Sequence, residues 1–321
     1  MAITESDQTT PRQTAQGRIL AGYLLAGGGA ALFSTKAIFI KLAYVENADA
    51  PQLLAWRMIF ALPFFLAVGA YALKRRRTMG VPSPGSRVIW GAALNGIVGY
   101  YVASLLDFEG LTYVTAQLER LVLFTYPIFV MLLGWLFFGG RVTREAVAGA
   151  GITYLGLAVV FQSGVASEGW TTAIGTIFVL CSALAFAVYQ LLAKTFIAAM
   201  GSTLFTAVAM SAASVTSIVH FLIASGGAVH VSIPYLALAA GTAVFATVLP
   251  SFLMNAGLAR IGPQSTAMIS TLSPLVTIYL AIVFLGEVFT PVDAIGTALI
   301  IGGVAFYTWF DMRTKTVSAT S

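Results

Sequence analysis

The chain has 321 residues, 59% of them hydrophobic and only 9% charged, with a formal net charge of +5 and a mean hydropathy of +0.90. So few polar side chains cannot cover a water-facing surface, so the composition makes lipid the solvent and excludes a water-soluble domain. It also excludes a β-barrel, because the apolar stretches run continuously and are rich in Ala, Leu and Gly, where barrel strands alternate.

Residues 1–18 are polar, with Thr, Gln, Ser and Pro11, and are expected to be a disordered tail. They lack the apolar core and small-residue cleavage site of a signal peptide, so the first span must itself target the chain to the membrane. A spanning helix needs about 20 apolar residues. Ten such stretches follow, near 19–43, 51–73, 88–109, 114–138, 145–163, 171–197, 202–225, 233–256, 263–286 and 291–311, with a tail from 312 to 321. Gly27, Gly28 and Gly29 in the first span do not form a phosphate loop, since no strand precedes them and no Lys-Ser/Thr follows. The lone Cys181 cannot form an intrachain disulfide.

The positive charge is placed by topology. Lys74, Arg75, Arg76, Arg77 and Arg87 follow the second span, Arg141 and Arg144 the fourth, Lys194 closes the sixth, Arg260 follows the eighth, and Arg313 and Lys315 the tenth. The exits of the odd-numbered spans carry Glu46, Asp49, Asp107, Glu109, Glu168, Glu287 and Asp293, with Lys41 the exception. By the positive-inside rule both termini are cytoplasmic, and the basic residues need no nucleic-acid partner.

Part of the sequence occurs twice. At a shift of 147, Gly110, Leu111, Gln117, Pro127, Leu133, Phe137, Gly139, Thr143, Gly149, Gly156 and Ala158 meet identical residues from Gly257 to Ala305. At a shift of 153, Phe33 meets Phe186 and Lys41 meets Lys194. Ten spans in two units give five per unit. An odd number starts the second unit from the opposite face, which predicts an inverted repeat, 19–163 and 171–311, joined by an external linker at 164–170. Pro127 and Pro274 are expected mid-helix in the fourth and ninth spans, either as static kinks or as hinges. Gly149 and Gly156, repeated as Gly296 and Gly303, predict close helix packing.

These features resemble the drug/metabolite transporter superfamily, EamA-type. The resemblance rests on Phe33-Ser34-Thr35 through Lys41, Trp56-Arg57 with Pro63, and Gly110-Leu111 through Ala116 to Pro127-Ile128-Phe129. In the second unit it rests on Ala256-Gly257-Leu258 through Pro263, Ser273-Pro274-Leu275 and Leu285-Gly286-Glu287. Within that superfamily the chain is most similar to bacterial aromatic amino-acid exporters of the YddG type. The resemblance implies an all-α fold of ten helices in two inverted five-helix repeats, in the bacterial inner membrane. It further implies export of amino acids, aromatic and other bulky neutral ones first, by alternating access. The acidic residue expected after the ninth-span glycine is Glu287, whereas its repeat partner is Gly140.

Ionisable residues inside spans are costly and mark candidate sites. Lys36, Arg57, Glu119 and Arg120 are such residues, and helix rise places Arg57 and Glu119 about 8–9 Å below the outer ends of their spans. Either Glu119 neutralises Arg57 or Arg120 and locks helices together, or the cluster lines the outer mouth and Lys36 meets a substrate carboxylate. Glu119 counts as the sole carboxylate well inside a span, and His220 and His230 lie toward the outer side, so facilitated, uniport-like flow is expected rather than a proton relay. In the third span Asn95, Tyr100 and Tyr101 are cavity candidates, only one tyrosine facing inward, with Thr247 opposite Tyr100 in the repeat. Trp56, Tyr189, Gln190 and Asn255 complete the set, while Trp90, Trp170 and Trp309 are read as interfacial anchors. A nucleotide-sugar carrier would need more deep basic residues than Lys36. No nucleophile, metal-ligand or paired-carboxylate motif suggests an enzyme, a metal or a cofactor, and no continuous polar lining suggests a channel. The expected partners are a small-molecule substrate and the lipid bilayer; monomer and dimer remain open.

Overall fold

A computed structural model describes residues 11–46, 49–138, 144–225, 232–270 and 273–320. Every secondary-structure element among them is helical: α1 (Pro11–Ser34), α2 (Lys36–Val45), α3 (Ala50–Thr78), α4 (Ser86–Gly96), α5 (Ala103–Leu111), α6 (Ala116–Leu123), α7 (Tyr126–Phe138) and α8 (Arg144–Glu168). They continue as α9 (Thr171–Met200), α10 (Ser202–Ser225), α11 (Ile233–Ala243), α12 (Leu249–Ser270), α13 (Ser273–Leu285) and α14 (Pro291–Thr320). Two π-helical stretches, Ile97–Val102 and Val244–Val248, join α4 to α5 and α11 to α12. They begin at positions related by the same shift of 147 that relates the repeated residues.

Among the described residues, eight helical runs are long and apolar enough to cross a membrane, from Ile19–Val45 to Ile233–Ile261; Ser273–Leu285 and Pro291–Phe306 are apolar but shorter. Exposed Leu24, Leu66, Leu136, Leu155, Ile177, Ile223 and Phe284 coat the outside, a surface suited to lipid tails. The chain is therefore a multi-pass membrane protein.

Local chemistry sets several helix starts. Asp49 accepts a hydrogen bond from the Gln52 amide at 2.7 Å, Thr115 from Leu118 at 3.2 Å, and Ser232 from Tyr235 at 3.1 Å, each satisfying a donor that the first helical turn leaves open. Thr290 and Asp293 cap each other's backbone amides at the start of α14. Gly201 ends α9 with φ 82°, a conformation a side chain would strain, and turns the chain into α10.

Several boundaries differ from expectation. Helix α1 begins at Pro11, inside the tail expected to be disordered, because proline is well placed in a first helical turn. Helix α14 runs to Thr320, beyond the span end expected at 311, as its polar end can continue into water. No break separates the expected eighth and ninth spans, since α12 is helical throughout Leu249–Ser270. Pro127 is not mid-helix. It occupies the first turn of α7, after a break at Phe124 and Thr125, because a proline ring disfavours helical backbone before it and offers no amide. Pro274 likewise sits in the first turn of α13. Gly139, Gly140, Arg141, Thr143 and His230 lie outside the described residues, as do the side chains of Gln264 and Trp309.

Helix pairing follows the small residues. The most extensive contacts join α8 to α14, α1 to α12, α3 to α10 and α5 to α9. A Cβ on Gly156 would lie 2.7 Å from the Gly296 carbonyl, one on Gly296 would lie 2.9 Å from the Gly156 carbonyl, and one on Gly303 would lie 2.7 Å from the Gly149 carbonyl. Without hydrophobic collapse between helices in lipid, such backbone-to-backbone packing holds them together. Gly110 and Gly175 join α5 to α9 in the same way, and Gly257 packs on Ala26 to join α12 to α1. The core between α3 and α10 holds Leu53, Met58, Phe65, Phe205 and Met210.

Candidate functional site

A single-residue break at Thr35 splits the first span into α1 and α2, with the Thr35 hydroxyl donating to the Leu32 carbonyl at 2.7 Å. The break places Ser34 and Lys36 in different helices. Buried Ser34 meets α13, its hydroxyl 2.7 Å from that of Ser273, while the Thr277 hydroxyl donates to the Ser34 carbonyl at 3.1 Å. Arg120 of α6 donates to the Ser273 hydroxyl at 2.7 Å and approaches that of Ser34 at 3.4 Å.

Lys36 heads a charge cluster. Its ammonium donates to Asp107 of α5 at 2.6 Å and lies 3.5 Å from Glu119 of α6, so both carboxylates share one cation. Both are buried. Arg57 of α3 is buried too, its guanidinium 4.8 Å from the centre of the Phe108 ring.

These residues open onto a cavity of about 910 Å³ of empty space, the open solvent at its mouth included. Lys36, Arg57, Asp107 and Arg120 are charged members of its lining, and Phe33, Tyr100, Phe124, Tyr126 and Phe186 aromatic ones. Behind the lining the rings interlock. Tyr189 meets Tyr100 edge-on at 5.0 Å and stacks with Phe186 at 5.7 Å and Phe205 at 5.9 Å. A Cβ on Gly99 would overlap the Tyr189 ring, so glycine there lets the ring reach the wall.

Among the residues singled out from sequence, Lys36, Arg57, Tyr100, Arg120, Gln190 and Thr247 line the cavity. Tyr100 is the inward tyrosine. Tyr101 packs edge-on against His220 at 5.8 Å. Tyr189 supports the wall from behind, and buried Glu119 reaches the cavity through Lys36. Glu119 forms an ion pair with Lys36, and it also attracts Arg120, one of the two partners expected for it. Asn95, Asn255 and Trp56 are not among the lining residues. Asn95 donates to the Tyr189 carbonyl at 3.2 Å and Asn255 to the Thr206 hydroxyl at 2.6 Å, tying helices together, and Trp56 packs against Phe60 at 5.9 Å. Exposed Trp90 and Trp170 suit their expected anchoring role.

Asp107 is the residue that sequence reasoning misplaced. It was counted among the charges at the exit of the third span, but that span runs to Leu111 and buries Asp107 against Lys36. The signal was present, since a lysine inside a span requires a counterion. Glu287 is placed by α13, whose end at Gly286 turns with φ 66°. Its carboxylate accepts the amides of Ala116 at 2.8 Å and Gln117 at 3.2 Å, capping the positive end of α6.

Comparison with known proteins follows this architecture. The model of the EamA-like transporter family matches residues 20–162 and again 173–309. The uncharacterized transporter YcbK of Bacillus subtilis (strain 168) is 31% identical over 312 residues, 94% of each chain. A probable terminal-alkyne amino-acid exporter of Streptantibioticus cattleyicolor is 29% identical over 232 residues, 70% of this chain and 75% of that one. A crystal structure described only as that of a protein superposes with a TM-score of 0.61 at 21% identity, covering 92% of this chain and 99% of the other, and shares the fold.

Proposed function

This chain belongs to the EamA-like transporter family, and from that premise we propose that it exports amino acids, bulky neutral and aromatic ones first, by alternating access across the bacterial inner membrane. The observation that carries the reading is the cavity itself, whose lining combines buried charges with aromatic rings. An amino acid presents the complementary halves, a charged backbone and an apolar side chain. The similarity to a probable amino-acid exporter supports the same substrate class.

We further read the chain as ten spans in two inverted units, 19–163 and 171–311, linked outside at 164–170, with cytoplasmic termini. The helix pairs support this. Exchanging the units maps the contact of α1 with α12 onto that of α9 with α5, and maps the α8–α14 and α3–α10 contacts onto themselves. Transport is facilitative in this reading. Glu119 no longer stands as the sole embedded carboxylate, since Asp107 is buried beside it and both lie within reach of Lys36.

Counterflow of labelled phenylalanine in proteoliposomes tests the proposal. Saturable exchange is expected without a proton gradient, falling when other bulky amino acids compete. If no amino acid in a panel drives counterflow, the substrate class is wrong; if only an imposed proton gradient restores flow, the facilitative part is wrong.

A further inference from the structure

The cluster has three cations, and two of them are engaged. Lys36 is held between Asp107 and Glu119, and Arg120 donates to the Ser273 hydroxyl. Arg57 differs. It lines the cavity and is 3% exposed, and its Nε and Nη2 have no hydrogen-bond partner among the described residues. These two nitrogens share one edge of the guanidinium, the edge that presents two parallel N–H groups to a carboxylate. The remaining contact is with the Phe108 ring, whose centre lies 4.8 Å from the guanidinium carbon, and both nitrogens are themselves buried. A buried charge with open donors is costly unless a ligand supplies the acceptor. Counted together, Lys36, Arg57 and Arg120 exceed Asp107 and Glu119 by one positive charge, a surplus that attracts the carboxylate end of a solute.

We infer that Arg57, rather than Lys36, anchors the carboxylate of the transported molecule, so that substrates must carry a free carboxylate. The inference rests on the proposed export of amino acids and adds the group that is recognised. Cationic amines that match the aromatic wall but lack the carboxylate would place a second positive charge beside the open guanidinium and be rejected.

The test uses the full chain in proteoliposomes, with labelled phenylalanine and three unlabelled competitors: phenylalanine, 3-phenylpropionate and phenylalaninamide. In the wild-type protein phenylalaninamide should compete at least about tenfold more weakly than phenylalanine, the scale of one charge-assisted hydrogen bond, while phenylpropionate retains competition. Arg57→Gln should weaken phenylalanine by a similar factor and remove the discrimination against the amide. Arg57→Lys, which keeps the charge and loses the fork, should fall between them. Equal competition by phenylalanine and phenylalaninamide in the wild type overturns the inference without any variant, so the result stands even if Arg57→Gln does not fold. A folded Arg57→Gln with wild-type affinity and discrimination overturns it too. In both cases amino-acid counterflow by the wild type leaves the transport reading intact; absence of counterflow for every amino acid removes both.

Discussion

The α8–α14 contact and the cavity treat the sequence duplication in opposite ways. At the contact the two copies agree. Gly149 and Gly156 recur as Gly296 and Gly303, and they pair crosswise with backbone against backbone. At the cavity they disagree. The repeat positions of Lys36, Arg57, Asp107 and Glu119 hold Tyr189, Met210, Met254 and Thr266, so the charge comes from one unit alone. Two similar units can share a scaffold because each needs the same close approach. A molecule with distinct ends cannot be bound by two identical half-sites, so specificity needs the copies to diverge.

The largest expected effect tests the symmetric region. Gly156→Val should cost about 3 kcal/mol or more, because the added side chain meets the Gly296 carbonyl and the Ile300 amide, neither of which can turn aside. Thermal unfolding in detergent reads this, and an unchanged midpoint would break the scaffold half of the comparison. Next, Lys36→Met should cost about 3 kcal/mol, the low end for a broken buried pair because Lys36 is partly exposed, by leaving Asp107 and Glu119 buried against each other. Adding Asp107→Leu should restore part of the loss, and strictly additive effects would show that the pair is not coupled. The smallest effect sharpens the asymmetric region. Tyr100→Ala should reduce phenylalanine counterflow about tenfold, whereas Tyr101→Ala and exposed Arg75→Ala should stay within about twofold of wild type. Equal loss in Tyr100→Ala and Tyr101→Ala would remove Tyr100 from the wall.

How much of this was legible in the sequence depended on the scale of the signal. Apolar stretches and a fixed shift between identical residues are long-range regularities, so the membrane class, the duplication and the glycine contact could be read directly. Single side chains were harder. Lys36, Arg57, Arg120, Gln190 and Thr247 reach the cavity, because charge and polarity inside a span usually have a purpose there. Asn95 and Asn255 look the same in sequence, yet they bond across helices, since polar side chains also serve lipid-embedded helices as ties. Asp107 escaped because a charge within the last turn of an expected span reads as an exit charge, whereas the helix continues to Leu111 and turns Asp107 inward. The prolines misled for a related reason: a proline opens a helix as readily as it bends one, and sequence does not say which residue starts the helix.

The paired π-helical stretches have a consequence for helix phase. Each widened turn holds an extra residue, so side chains before and after it follow two different angular clocks, offset by about 100° from an unbroken α-helix. The Thr247 hydroxyl donates to the Thr242 carbonyl five residues earlier, at 3.0 Å, across the second of these turns. The first separates Asn95, which faces α9, from Asp107, which faces Lys36. A span built this way has a vernier. Tyr100 and Tyr101 both lie in the first of these turns, one lining the cavity and the other packed on His220, and no count of α-helical periodicity along the sequence supplies the offset that follows it.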